Sequence, residues 1–296
     1  MLSYRHGFHA GNVGDLLKHI VVTDVLDHLR RKSGGFDFID THAGAGLYDL
    51  RHARAAQLRE YAGGIGRLAA SDAHTKASGD WRRWWPELQS WFAVLDAYNV
   101  GEAALADCPF ARYPGSPAIA MHGLRDQDRA WFFELHPRDH ETLVAFTAGQ
   151  RRIKVLNEDG FAGLLGLVPP ASRRALVLID PSYEIKADYE LAFTTVAKAY
   201  RKFATGTYVL WYPVVDRHRI QRLERQFVAG AIRNVLQLEI GVSADAPGRG
   251  MTATGVFVVN PPWTMRERMT GLLPRLRTAV GQDDGAFWRC VQLVDE

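Results

Sequence analysis

Leu176-Val177-Leu178-Ile179-Asp180-Pro181-Ser182-Tyr183 is the stretch that decides the fold. Its four apolar residues read as a buried strand ended by an Asp-Pro turn. In a doubly wound α/β sheet the carboxyl ends of the strands form the ligand-binding edge. This strand therefore delivers Asp180, Pro181 and Tyr183 together to that edge.

Outward from it, the chain alternates as such a sheet requires. Strands are predicted at 130–134, 153–157, 175–180 and 207–211, with helices at 138–148, 161–167 and 187–203 between them. Upstream, Leu16, Leu17, Ile20, Val21, Val25, Leu26 and Leu29 recur at three- and four-residue spacing, which predicts a helix from Asp15 onward. Arg30, Arg31 and Lys32 favour the negative end of its dipole, and Ser33-Gly34-Gly35 stops it. A strand over 36–40 then runs into Thr41-His42-Ala43-Gly44-Ala45-Gly46, the strand and glycine loop that open many nucleotide-binding α/β folds.

Residues 47–112 interrupt the alternation. Positions 51–70 are Ala/Arg/Leu-rich, 81–95 are patterned as an amphipathic helix, and Trp81, Trp84, Trp85 and Trp91 fall here. The segment reads as a small helical insertion within a single domain spanning 1–296, with a long first crossover as the alternative. Ser116-Pro117 predicts a helix start, Ser as cap and Pro at the first helical position. After a helix over 217–228, strands at 235–242 and 255–259 are separated only by a loop containing Gly248, Gly250 and Ala253, and should pair antiparallel.

A chain of 296 residues, 47% hydrophobic and 23% charged, is ordinary for a globular protein and excludes the disordered and fibrous classes. No apolar run approaches the ~18 residues of a membrane span, and the N-terminus offers no apolar core to a secretion signal. Cys108 and Cys290 cannot form a disulfide framework or a Cys-rich zinc site. They read as structural, and a reducing, cytoplasmic setting is expected. His6, His9, His19 and His42 lack metal-site spacing, so no metal is expected. No Ser sits in a G-x-S-x-G elbow. The net charge of +3 permits a nucleic-acid partner without demanding one. Basic clusters at 151–152, 173–174, 201–202, 217–225 and Arg249 could hold phosphates or simply face solvent.

Candidate chemistry follows the strand ends. Gly44-x-Gly46 lacks the third glycine of the dinucleotide fingerprint, position 49 being Asp49. Glu134 ends a predicted strand, where a carboxylate can accept from ribose hydroxyls; alone it reads equally as a surface carboxylate. Asp159 can accept from an adenine amino group beside the flat wall of Phe161, or can cap a helix. Asp180-Pro181-Ser182-Tyr183 resembles the (D/N)PP(Y/F/W) motif of amino-group methyltransferases. A ring-conjugated amine is a poor nucleophile. A carboxylate and a backbone carbonyl accepting its two N–H bonds push its lone pair toward the incoming methyl, while an aromatic ring stacks on the flipped-out base. Asn260-Pro261-Pro262-Trp263 fits that pattern better, but too little chain follows it for the remaining elements of the fold. Asp180 is the preferred reading, with Asn260 at the end of the last strand.

Taken together, Ser3-Tyr4-Arg5-His6, Phe8-His9-Ala10-Gly11-Asn12, Asp40 to Gly46, Tyr113-Pro114-Gly115-Ser116-Pro117, Glu134-Leu135-His136-Pro137, Asp159-Gly160-Phe161 and Arg249-Gly250-Met251-Thr252-Ala253 resemble the bacterial large-subunit ribosomal RNA methyltransferase J family over nearly the whole chain. The resemblance implies a Rossmann-like class I methyltransferase fold, mostly parallel with a terminal antiparallel hairpin. It further implies N6-methylation of an adenine in 23S ribosomal RNA with S-adenosyl-L-methionine. By the same resemblance His19, His42, Gly44, Gly46, Ser116, Glu134, Asp159, Gly160 and Asp180 line or adjoin the cofactor pocket. Asp180 is then the proton acceptor, assisted by Pro181 and Tyr183, and Tyr4 faces the RNA. A monomer without membrane attachment is expected. Ser182 departs from the family, which has a second proline there, so a locked φ is lost. The rival readings are a methyltransferase acting on DNA adenine or protein glutamine, and a non-catalytic RNA-binding protein on the same fold.

Overall fold

The computed structural model describes residues 5–70, 81–246, 248 and 250–296. Its main sheet has eight strands: β1 (Asp37–Asp40), β4 (Arg129–Phe133), β5 (Ile153–Leu156), β6 (Ala175–Ile179), β7 (Thr207–Val214), β8 (Val235–Gly241), β9 (Ala253–Val259) and β10 (Phe287–Val294). β2 (Leu47–Asp49) and β3 (Arg112–Pro114) pair separately. The order in the main sheet is β10-β8-β9-β7-β6-β1-β4-β5. The five strands from β5 to β7 are parallel, while β9 runs antiparallel to both β7 and β8, and β10 to β8. A strand order that reverses at β1, with an antiparallel strand inserted beside β7, is the class I methyltransferase arrangement.

β6 is buried along its whole length because helices cover both faces. Leu176 and Leu178 share a core with the Val13–Arg30 helix, while Val177 and Ile179 share one with the Asp188–Lys202 helix. This is the two-residue alternation of a strand. The first helix begins where the Asn12 side chain accepts from the Asp15 N–H at 3.0 Å, slightly earlier than its apolar periodicity suggests. From the 47–112 segment, Trp91, Phe92 and Leu95 join the same core as Leu16, Leu17 and Ile20.

Three expectations need correction. The helix predicted over 81–95 is broken: 3₁₀ turns at Trp81–Trp84 and Pro86–Leu88 precede an α-helix at Gln89–Ala97. Pro86 lacks an N–H and forces Trp85 out of helical geometry, at φ −126° and ψ 57°. Ser116 is not a helix cap. Gly115 takes that position and Ser116 is the first residue of the Ser116–Gly123 helix. Finally, β9 is not the last strand, since β10 follows it. An edge strand with no fully buried position, its exposed residues Trp288 and Val291 three apart, carries no two-residue alternation by which to find it.

Candidate active site

β1, β4, β5 and β6 end on one edge, and most of the candidate residues gather there. Glu134 fastens the glycine loop: its Oε2 accepts from the Gly44 N–H at 2.8 Å and its Oε1 from the His136 N–H at 2.7 Å. Burial raises its pKa, and those two N–H groups oppose the rise. Gly44 turns with φ +65°, and a Cβ there would overlap the Tyr48 hydroxyl. Gly160 opens its helix against the carbonyl of Thr41, leaving no space for a side chain. Asp159 caps that helix, its Oδ1 accepting from the Phe161 N–H at 2.9 Å. The His42 ring meets the Phe161 ring edge-on at 4.7 Å. Burial holds the His42 pKa down to about 4 against the pull of Asp159, so the ring is neutral at pH 7.

Sequence reasoning missed Lys18. It is 3% exposed, with Nζ 2.5 Å from Asp180 Oδ2 and 2.8 Å from Asp15 Oδ1. Asp15 Oδ2 accepts from the Gly11 N–H at 2.9 Å and lies 2.8 Å from His6 Nε2. Burial opposes the Lys18 ammonium, but Asp15 and Asp180 outweigh it and hold its pKa above the ordinary lysine value. Burial likewise lifts the Asp180 pKa, with Lys18 pulling it back. A signal was present: residues 16–22 are apolar round most of the helix, and a helix covered on all sides must bury its Lys and His too. His19 is 1% exposed, its Nδ1 2.9 Å from the Tyr113 hydroxyl. Burial lowers its pKa to about 3 although Asp15 opposes this. His19 thus packs inside the protein, behind the edge where the other candidates lie.

Ser116 Oγ donates to Asp40 Oδ2 at 2.5 Å. Asp40 is fully buried, and burial raises its pKa to about 7; the Ser116 hydroxyl opposes the rise and Asp180 adds to it. An unfolded aspartate titrates near 3.9. Between about pH 4.5 and 6.5 the folded protein therefore keeps a proton that the unfolded chain has released. This carboxyl withdraws stability as the pH rises, by up to about 1.4 kcal/mol per unit. Asp40→Asn should abolish that slope, so the variant's stability relative to its parent should climb across the window in denaturant unfolding at stepped pH. A constant difference would mean that Asp40 titrates as an ordinary carboxyl.

The Asp180–Tyr183 loop borders an open groove of about 820 Å³, lined by Ser182, Tyr183, Trp211 and Pro213 and, across from them, by Asn12 and Glu60. Tyr183 adopts a left-handed φ of +55°. Its hydroxyl donates to the Trp211 carbonyl at 2.5 Å, and its ring lies 4.3 Å from that of Tyr189. Asp180 is 13% exposed. Among the described residues no donor pairs with the Pro181 carbonyl oxygen. A fixed aromatic ring thus faces the groove at Tyr183, with the Asp180 carboxylate and the buried Pro181 just before it in the loop.

Asn260 lies elsewhere. β9 is antiparallel to β7, with Val259 opposite Tyr208, so Asn260 sits at the amino edge of the parallel strands. Its side-chain N–H groups donate to the Ala204 and Gly206 carbonyls, each at 2.8 Å, and Trp263 is 80% exposed. This is a loop clasp remote from the glycine turn. Tyr4 and Arg249 lie outside the described residues. Among the described residues no cluster of three His, Cys, Asp or Glu could hold a metal, and no helix is long and apolar enough to cross a membrane. Burial pushes the Cys108 thiol up to about 12, leaving it unreactive.

Residues 33–292 match the family described as RsmJ: Ribosomal RNA large subunit methyltransferase D, RlmJ. The chain is 42% identical to Ribosomal RNA large subunit methyltransferase J of Escherichia coli (strain K12), over 94% of each chain. It is 40% identical to the protein of the same name from Haemophilus influenzae, over 97% of each. Among solved structures, protein LPL1258 from Legionella pneumophila is similar at a TM-score of 0.84 and 30% identity, covering 96% of this chain and 98% of that one.

Proposed function

Because the chain belongs to the RsmJ family of large-subunit ribosomal RNA methyltransferases, we propose that it methylates N6 of an adenine in 23S ribosomal RNA with S-adenosyl-L-methionine as donor. One observation carries the choice of an amine. The Tyr183 ring lines the groove, and two acceptors, the Asp180 carboxylate and the Pro181 carbonyl, directly precede it in the same loop. Asp180 and Pro181 accept the two N–H bonds of the amine and turn its lone pair toward the methyl. Asp180 then takes the surplus proton. Lys18 favours the ionised form of Asp180 against the burial that raises its pKa.

The residues at the sheet edge fit the cofactor. The turn at Gly44 and the close approach at Gly160 bring bare backbone to the strand ends, as a nucleoside and its amino-acid tail require. Glu134 and Asp159 would read the ribose and adenine, each keeping lone pairs beyond those used on backbone N–H groups. Gly46, His42 and Ser116 would complete the wall, with His19 behind it. When bound, the cofactor supplies an electrophilic methyl group on a sulfonium sulfur. Glu134→Ala should weaken cofactor binding by roughly 1–3 kcal/mol in calorimetry, the cost of leaving buried donors unpaired; unchanged affinity would remove Glu134 from the pocket.

In the same reading, 47–112 is a subdomain of a single methyltransferase domain, supported by the core that Trp85 and Trp91 share with the first helix. Tyr4 faces the RNA, and the protein works as a cytoplasmic monomer. Incubating it with labelled S-adenosylmethionine and 23S rRNA, then digesting the RNA to nucleosides, tests the proposal. Label should appear in N6-methyladenosine. Label confined to DNA adenine or to glutamine would favour the rival amines, and cofactor binding without transfer would favour a non-catalytic protein.

A further inference from the structure

The basic clusters that look alike in the sequence have different fates in the structure. Arg174 donates to the Leu29 and Gly34 carbonyls, and Lys202 to the Leu165 carbonyl. Arg152 lies 3.4 Å from Asp126. Arg217 is taken up by Glu239 and Asp245, at 2.7 Å each. The rest of the Arg217–Ala229 helix differs in position and in pairing. It follows β7, so it starts on the edge that carries Asp180.

Along this helix Arg219, Arg222 and Arg225 recur every three residues, spanning about 9 Å at 1.5 Å per residue. With Lys186 they line a second groove of about 290 Å³. Lys186, Tyr189, Asp216 and Arg219 line both this groove and the one beside Tyr183, so the two are continuous. A line of contacting groups marks the junction. The Arg219 guanidinium lies 5.7 Å from the Tyr189 ring centre, and the Tyr189 ring 4.3 Å from that of Tyr183. The carboxylates here engage only loosely: Asp216 is 3.3 Å from Arg219, and Glu190 is 3.5 Å from Arg222 on an exposed face. Among the described residues, Arg225 and Lys186 have no ion-pair partner. Within the second groove four cations thus outweigh two carboxylates, and this groove opens onto the one that Tyr183 lines.

We propose that this channel is a track for the RNA backbone flanking the target adenine, with Arg219, Arg222, Arg225 and Lys186 holding successive phosphates. The proposal rests on the ribosomal RNA reading above and assigns to it a surface outside the methyl-transfer site. Planar, permanently charged guanidinium groups suit phosphate oxygens. Such contacts fix the register of the strand without reading its sequence, leaving selection of the base to the Asp180 loop.

The test compares the full chain with an Arg222→Ala/Arg225→Ala double variant and a charge-matched control, Arg151→Ala/Arg173→Ala, whose changes precede β5 and β6 at the opposite edge. Methylation of 23S rRNA is followed over a range of salt concentrations. In the track variant KM for RNA should rise roughly tenfold at physiological salt. The log–log salt slope should fall by about 1.4–1.8, at 0.7–0.9 per lost phosphate contact. Turnover at saturating RNA and affinity for S-adenosylmethionine should hold. The control should keep both the parent KM and the parent slope. If track variant and control weaken equally, bulk charge and no track explains binding, and the proposal falls. It falls too if the track variant keeps the parent KM and slope. An unmodified protein that methylates no ribosomal RNA at all would instead overturn the functional reading beneath it.

Discussion

Asp180→Ala is expected to lower single-turnover methylation by on the order of 100-fold or more, the scale of a positioned acid–base group. Cofactor affinity and the unfolding midpoint should change far less. The structure explains why folding should survive: Lys18 retains Asp15 as a partner at 2.8 Å when Asp180 is gone. Asn260→Ala provides the contrast. It removes a clasp on the Ala204 and Gly206 carbonyls at the far edge, which should lower stability and leave the chemical step nearly intact. A folded but inactive Asn260 variant beside an active Asp180 variant would reverse the assignment of the two proline-containing loops.

Lys18→Met should cost more in stability than any other single change considered. It fills a similar volume but leaves Asp15 and Asp180 facing one another with no cation between them. Removing one partner from a buried ionic cluster costs about 3–5 kcal/mol. The sign with pH follows from the carboxylates. Both lose the ammonium that favoured their charged forms, so their folded pKa values rise. The penalty is therefore largest near neutrality and shrinks as falling pH protonates them. The acid limb of the pH–rate profile should move upward for the same reason. Denaturant unfolding at two pH values, with a pH–rate profile on the same variant, checks both effects. An unmoved midpoint and an unmoved acid limb would show that Lys18 is dispensable.

The sequence shows some of this plainly and hides the rest for physical reasons. β6 is legible because four apolar residues in a row, stopped by Asp-Pro, have few other uses in a sheet. The edge positions of Glu134, Asp159 and Asp180 follow from strand ends alone, since every parallel strand points the same way. Ser116 reads as a helix cap in the sequence but is not one: Gly115 holds that position, and the serine hydroxyl reaches Asp40, a residue 76 positions earlier. No local pattern reports so distant a bond. Lys18 stayed hidden because an amphipathic reading sends lysine to water, whereas Asp15 one turn before it and the distant Asp180 hold this one inside. The track along the Arg217–Ala229 helix could not be told from other basic clusters until the fold showed which of them adjoins the groove.

The fixing of Tyr183 bears on how this loop tolerates change. Its backbone is held at a φ that tyrosine seldom adopts, by a phenol anchored on the Trp211 carbonyl and a ring lying against Tyr189. Conformational restraint that a second proline would impose through the main chain is here imposed through a side chain. Loss of the phenol anchor at 183 is therefore expected to loosen the loop more beside Ser182 than beside a proline at 182.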